Sequence, residues 1–179
     1  MLDGRHMILL WNVLKRSAVV YGNKAALVDG EKSFTYKEVN SRANRLANAL
    51  LKLGLARGSR IAFMAGNRHE FVEAYFGISK TGLVINPVNA FFSQEDAAYV
   101  INHSDAAVLI YQPELKGLVD KIKKDIPQVK YFISLGDGYE SFLQDASDSD
   151  PKCHKLLEGS LNLPGRQRYC TCRYPVSKK

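Results

Sequence analysis

The sequence predicts an α/β domain built on a mainly parallel sheet with helices on both faces. Short apolar segments of strand length alternate with longer segments whose apolar residues recur at steps of three and four. The strand segment 61–65 is a continuous apolar run, which is typical of a strand buried on both faces, and 83–88 is predicted to be another buried strand. Strand and helix alternate over about 120 residues, and this order indicates βαβ units.

The first elements are a helix and a hairpin. The apolar segment 8–20 predicts a helix. Strands are predicted over 25–28 and 33–35, because Asp29-Gly30 between them is a turn signal and glycine tolerates a positive φ.

The longest predicted helix lies between Thr35 and Gly54. Thr35 and Glu38 fit a capping box at its start, and Gly54 suits the C′ position at its end. Its apolar face contains five residues: Val39, Ala43, Leu46, Leu50 and Leu53. Its basic residues are expected on the opposite face: Arg42, Arg45 and Lys52.

The strand–helix pattern then repeats. Strands are predicted over four segments: 61–65, 83–88, 107–111 and 130–135. Helices are predicted where Asn67 with Glu70 and Ser93 with Asp96 mark starts, and over 115–126 and 139–146. The strand at 83–88 is expected to be buried and to stop near Pro87. Three lysines are expected on the solvent face of the fourth helix: Lys121, Lys123 and Lys124.

A change of composition divides the chain into a body, residues 1–151, and a tail, residues 152–179. The tail contains seven Lys/Arg and one acid, so it carries +6 of the formal net charge of +7, and it holds all three cysteines. It is expected to be disordered or the product of a frameshift. The body is nearly neutral and has no cysteine, which favours a cytoplasmic protein.

Composition excludes several classes of protein. Hydrophobic residues make up 46% and charged residues 24%, which argues against a disordered, collagen-like or disulfide-rich chain. The apolar run 7–11 is far shorter than the roughly 20 residues of a membrane span, and no signal cleavage site follows it.

Familiar nucleotide and nucleophile motifs are missing or incomplete. Gly136-Asp137-Gly138 follows a strand, but Ser141 occupies the position of the third glycine of a dinucleotide fingerprint, so a turn is the better interpretation. The sequence has neither a Walker A loop nor a Gly-x-Ser-x-Gly elbow. The residue patterns alone therefore predict a fold class and no catalytic, cofactor-binding or metal site.

The tail leaves two alternatives open. Its candidate zinc ligands are spaced poorly for zinc: Cys153, His154, Cys170 and Cys172. Its basic residues with Tyr169 and Tyr174 permit an RNA-binding hypothesis, because cations bind phosphate and aromatic rings stack on bases. An unstructured, solvated end is the simpler interpretation.

The remaining histidines, His6, His69 and His103, are scattered along the chain. His69 falls in the first turn of a predicted helix, and His103 falls near the end of another. Surface or capping roles are expected for them rather than catalysis.

A series of body segments carries a resemblance to a known family. The segments are 24–30, 33–40, 42–50, 58–62, 67–74, 80–82, 86–89 and 99–105. In order and spacing they closely resemble the start of the adenylate-forming enzymes, namely acyl-CoA synthetases, luciferases and peptide-synthetase adenylation domains. The resemblance covers roughly residues 8–145, and 86–89 and 99–105 are most similar to the fatty-acyl-CoA ligases.

The resemblance implies the first subdomain of such an enzyme's large domain, in truncated form. It implies a reaction in which a carboxylate attacks the α-phosphate of ATP to give an acyl-adenylate, from which coenzyme A displaces AMP. Magnesium would neutralise the phosphates. The implied partners of a full-length parent are therefore ATP, Mg²⁺, coenzyme A and a carboxylic acid.

The family's phosphate loop, Tyr-Thr-Ser-Gly followed by a segment ending in Pro-Lys-Gly, does not follow residues 148–151 here. The family's later binding segments and its C-terminal lid are missing too. No catalytic, cofactor-binding or metal residue is carried over, and the chain alone is expected to be inactive. A frameshift would explain the tail, because codons for 169–173 read two bases on can encode Leu-Tyr-Met-Ser; a genuine short protein is the rival explanation.

Three functions follow as hypotheses. The first is a fragment of an acyl-adenylate-forming fatty acid–CoA ligase. The second is a non-catalytic binding or regulatory module of the same fold, and the third is a nucleic-acid binder that acts through its tail. Apolar faces left exposed by truncation predict self-association.

Overall fold

In the computed structural model, which describes residues 10–151, helices and strands alternate along the chain. The helices are α1 Leu10–Val20, α2 Tyr36–Lys52, α3 His69–Ser79, α4 Gln94–His103, α5 Lys116–Ile122 and α6 Asp137–Gln144. The strands are β1 Ala25–Asp29, β2 Lys32–Thr35, β3 Arg60–Met64, β4 Val84–Val88, β5 Ala106–Tyr111 and β6 Tyr131–Ser134. One 3₁₀ turn, Pro113–Leu115, precedes α5.

The central sheet has four parallel strands in the order β4-β3-β5-β6, and β1 and β2 form a separate antiparallel hairpin. Successive side chains of a strand point to opposite faces, so each face has its own core. Ile61 and Phe63 belong to the core that α2, α3 and α6 cover. Ala62 and Met64 belong to the core that α4 and α5 cover. The predicted parallel sheet with helices on both faces is confirmed.

The prediction that the strand at 83–88 is buried like its neighbours is wrong. β4 lies at the edge of the sheet, and Val84 is 38% exposed. The strand ends at Val88, next to Pro87, as predicted, and Pro87 pairs in register with Phe63. A proline is tolerated there because an edge strand needs hydrogen bonds on one side only.

Local signals placed α2 correctly. The capping box is present: the Glu38 backbone N–H donates to Thr35 Oγ1 at 3.3 Å, and the Thr35 N–H donates to Glu38 Oε2 at 2.7 Å. Gly54 follows the helix with a φ of +65°. The expected solvent face is wrong for Arg42, because α1, α3 and α6 all pack on α2 and leave only 22% of the Arg42 side chain exposed.

Two helices differ from expectation. The N-cap of α3 is Arg68 instead of Asn67, and its side chain makes no capping hydrogen bond. The apolar stripe 115–126 contains the end of the 3₁₀ turn and a helix that ends at Ile122. The lysines at 121, 123 and 124 are exposed as predicted.

None of the helices between residues 10 and 151 combines the length and hydropathy that crossing a membrane requires.

Candidate functional site

A charged cluster lies where the β1–β2 hairpin meets the start of α3. We call its four residues, Asp29, Arg68, His69 and Glu70, the α3 cluster. Asp29 ends β1, and its Oδ2 accepts the His69 backbone N–H at 3.0 Å and lies 2.8 Å from His69 Nδ1. The side-chain and backbone hydrogen bonds from His69 lower the pKa of Asp29. Asp29 therefore caps α3 from a position forty residues earlier in the chain.

Glu70 is the second carboxylate on the imidazole. Its Oε2 lies 3.3 Å from His69 Nδ1, and Arg68 donates to both Glu70 oxygens at 3.2 Å. These bonds to Glu70 raise the pKa of Arg68. The His69 ring stacks on Phe34 at 4.6 Å between centroids, and the His69 and Glu70 side chains are nearly inaccessible to solvent. The hairpin and the helix thus hold three ligand-type atoms close together.

A cavity of about 300 Å³ opens onto this cluster. Its lining residues come from the hairpin and the start of α3: Leu27, Val28, Asp29, Asn67, Arg68, His69, Phe71 and Val72. Solvent and small ions therefore have a route to Asp29 and His69.

A second ionic network joins α2, α3 and α6. Arg42 Nε donates to Glu73 Oε1 at 2.6 Å, and the Arg42 terminal nitrogens donate to both oxygens of Glu140. The Tyr139 hydroxyl donates to Glu73 Oε2 at 3.1 Å. Burial raises the pKa of Glu73, although the bond from Arg42 opposes the rise. Burial also raises the pKa of Tyr139 well above its ordinary value. The network fixes three helices and leaves no free nucleophile or base.

The chain after α6 returns over α2, and we call residues 145–150 the strap. Lys80, fully buried, donates to Asn40 Oδ1 at 2.9 Å, Asn44 Oδ1 at 2.6 Å and Asp150 Oδ1 at 3.3 Å. The Asn44 amide donates to the carbonyl of Asp148 at 2.7 Å. Burial lowers the pKa of Lys80. These bonds position the strap and have no chemical step to perform.

The carboxyl ends of β3 and β5 flank the crevice where the crossovers change direction, the usual ligand position in such sheets. Here Gly66 N–H donates to Gln112 Oε1 at 2.8 Å, so the crevice is bridged by the chain itself. Gly136 precedes α6 with a φ of +82°, as the turn interpretation of Gly136-Asp137-Gly138 requires.

The two described histidines take the helix positions predicted for them. His103 ends α4 and stacks on Tyr99 at 5.7 Å. His69 begins α3, but it is buried, so the surface alternative is wrong and a role at the helix start remains. The other candidates lie outside the described residues: His6, Cys153, His154, Tyr169, Cys170, Cys172 and Tyr174.

Sequence reasoning missed Asp29 and Glu70 as partners of His69, and Arg42 as the partner of Glu73. In the α3 cluster and the Arg42 network, the ion pairs that join different elements have members 31 to 98 positions apart. No short spacing pattern marks such pairs. An acid at a hairpin turn, Asp29, was the only local signal.

Comparison with known proteins places the fold in a family. The model of the AMP-binding enzymes matches residues 14–164. A long-chain-fatty-acid–CoA ligase of Thermus thermophilus is 33% identical over 150 residues, covering 78% of this chain and 28% of the relative. A crotonobetaine/carnitine–CoA ligase of Escherichia coli is 30% identical over 155 residues, covering 80% and 29%. A solved Mycobacterium tuberculosis fatty acyl CoA synthetase matches with a TM-score of 0.75 at 27% identity, covering 79% and 29%.

The fold is thus the α/β subdomain found in the N-terminal part of acyl-CoA ligases. The chain belongs to the AMP-binding enzyme family. It spans less than a third of the length of the curated relatives named above.

Proposed function

We propose that the chain is the N-terminal part of an ATP-dependent acid–CoA ligase that acts through an acyl-adenylate on fatty acids. The observation that carries the proposal is the family match over residues 14–164, together with alignment to the long-chain-fatty-acid–CoA ligase of Thermus thermophilus. In such a reaction a carboxylate attacks the α-phosphate of ATP, and the thiol of coenzyme A then displaces AMP. The parent's partners are ATP, Mg²⁺, coenzyme A and the acid, and its location is the cytoplasm.

The described residues do not fit a triphosphate. The α3 cluster presents two carboxylates, and its one guanidinium already bonds Glu70. The half-buried guanidinium of Arg42 bonds Glu73 and Glu140. The crevice between β3 and β5 is bridged by Gln112. We therefore assign this part of the chain the role of scaffold and assign it no step in catalysis, and we expect it to be inactive alone.

Two measurements test the proposal. The first is ATP–pyrophosphate exchange by the purified 179-residue chain with fatty acids of several lengths, for which we expect no exchange above background. Exchange by the chain alone would refute the scaffold role.

The second measurement is the DNA sequence downstream of the codon for Asp145, translated in all three frames. A frame that continues into Tyr-Thr-Ser-Gly and Pro-Lys-Gly supports a full ligase as parent and makes the tail a frameshift product. Absence of that pattern from every frame contradicts the ligase-fragment proposal.

One surface feature favours a second candidate, a non-catalytic module that pairs with a complete ligase. Within the described residues β4 pairs with β3 alone, and the loop after it presents Phe91, which is 92% exposed. Exposed aromatic rings beside an open sheet edge are suited to protein contacts. Co-purification of the tagged chain with an acyl-CoA ligase from its own cell would support this candidate, and loss of the complex on Phe91→Ser would locate it.

A further inference from the structure

We propose that Asp29, His69 and Glu70 bind one divalent transition-metal ion, with Zn²⁺ as the best fit. The ligand atoms are one imidazole nitrogen and one carboxylate oxygen from each acid, and all three lie within 4.8 Å of one another. The inference concerns a site apart from the sheet crevice, and it stands whether or not the parent is a ligase.

The separations of the ligand atoms suit a small ion. His69 Nδ1 lies 2.8 Å from Asp29 Oδ2 and 3.3 Å from Glu70 Oε2. A tetrahedral ion with metal–ligand bonds of about 2.0–2.1 Å separates its ligand atoms by about 3.4 Å. Small rotations of Asp29 are therefore enough to admit the ion, and its carboxylate is the most exposed of the three, at 37%.

Surrounding groups fix the ligands in place. The His69 backbone N–H holds Asp29, and Phe34 stacks on the imidazole. Arg68 bonds Glu70 at 3.2 Å, longer than the roughly 2.7–2.9 Å of a strong charge-assisted bond. Glu70 can therefore turn Oε2 to the metal while Oε1 keeps its bond to Arg68. Outer contacts of this kind orient metal ligands in proteins.

Charge favours a cation at this point. Four carboxylates face two guanidinium groups around the imidazole: Asp29, Glu70, Glu73 and Glu140 against Arg42 and Arg68. Two further groups at the periphery have opposite charges and offset each other: Lys32 and Glu114. With a neutral imidazole the network carries two excess negative charges, which one divalent ion balances.

The chemical types of the three ligands favour some metal ions over others. Imidazole with carboxylates and no thiolate suits Zn²⁺ and its analogue Co²⁺ better than Cu⁺. The cavity of about 300 Å³ beside Asp29 gives the ion a path and room for a water as fourth ligand.

The test uses the full chain with Cys153, Cys170 and Cys172 replaced by serine, so that no thiol contributes to the zinc that is measured. Titration calorimetry with ZnCl₂ measures stoichiometry and affinity, and CoCl₂ gives an independent visible spectrum of the bound ion. We expect one ion per chain, with a rise in thermal midpoint on saturation, because the ion binds the folded state.

Two variants decide the location. Asp29→Asn removes a charged ligand but keeps an oxygen that can cap α3, and we expect affinity to fall about tenfold or more. Glu140→Gln removes the same charge from the same network outside the ligand set, and we expect a change below about threefold. Absence of binding in the cysteine-free chain, or equal losses in the two variants, overturns the proposal. Far-ultraviolet circular dichroism without metal checks that each variant folds.

Discussion

Gly77 on α3 lies directly against the backbone of Ala43 on α2. A Cβ placed at position 77 would lie 2.8 Å from the Ala43 carbonyl oxygen and 3.2 Å from Leu46 Cβ. The first is a backbone atom and the second is bonded directly to the helix backbone, so neither can move aside cheaply. The hydrogen at Gly77 is therefore what allows α2 and α3 to approach so closely.

Gly77→Ala is expected to destabilise the fold by about 1–3 kcal/mol, because the helices must separate or strain. Gly117→Ala is the matched control in α5, where a new Cβ meets nothing within 4 Å. That control should be neutral or stabilising by up to about 1 kcal/mol, since alanine favours the helix. Urea unfolding of both variants measures the difference, and equal midpoints would contradict the close contact.

Arg42→Met should cost about 3 kcal/mol or more, because it leaves the Glu73 carboxylate, 1% exposed, without its cation. The double variant Arg42→Met with Glu73→Gln should recover at least half of the loss, since the stranded charge is gone. Arg45→Met, three positions along α2, serves as control and should change stability little. Chemical denaturation of the wild type, Arg42→Met, Glu73→Gln and the double variant forms a double-mutant cycle. A double variant no more stable than Arg42→Met would refute the ion pair's role.

Asn44→Ala is expected to loosen the strap before it unfolds the protein. Asn44 accepts from Lys80 and donates to Asp148, so the change removes both bonds at about 1–3 kcal/mol of buried polar cost. Asn48→Ala removes bonds to the same strap from a more exposed position and should have a smaller effect. Hydrogen exchange of residues 145–151 is the readout, and unchanged protection there in Asn44→Ala would contradict the assignment.

Acid should weaken the fold partly through Asp150. Burial opposes its charge, but bonds to Lys15 and Lys80 hold the pKa of Asp150 below its ordinary value. Its contribution is therefore present above about pH 4, the unfolded value, and is lost as pH falls through the lower folded pKa. Glu73, whose pKa burial raises, acts in the opposite sense. Asp150→Asn should flatten the fall in stability between pH 5 and 2 that urea midpoints record, and an unchanged fall would contradict the role of Asp150.

Exposed aromatic surface predicts self-association of the isolated chain. Phe91, at 92% exposure, follows β4, which pairs with a strand on one side only between residues 10 and 151. Phe91→Ser should shift sedimentation toward the monomer, and Val19→Ser, which changes an 81% exposed residue on α1, should not. A wild-type chain that sediments as a monomer at all concentrations would refute the prediction.

Local patterns predicted the fold because each depends on neighbours in sequence. The Thr35–Glu38 box and the apolar run of β3 are readable within five residues, and both are confirmed. The position of β4 at the edge of the sheet could not be predicted from its local sequence, because it depends on the order of the strands. The α3 cluster was not predicted either, because Asp29 and His69 come together only when the hairpin packs on α3.

The strap also brings the two ends of the described part of the chain close together. Asp150 bonds Lys15 of α1 at 2.6 Å, so the first helix and the last described residues lie side by side. A structural unit whose two ends are adjacent can be removed or exchanged with little change to the rest of the protein. The Lys15–Asp150 contact therefore makes this subdomain suited to transfer between enzymes as one piece.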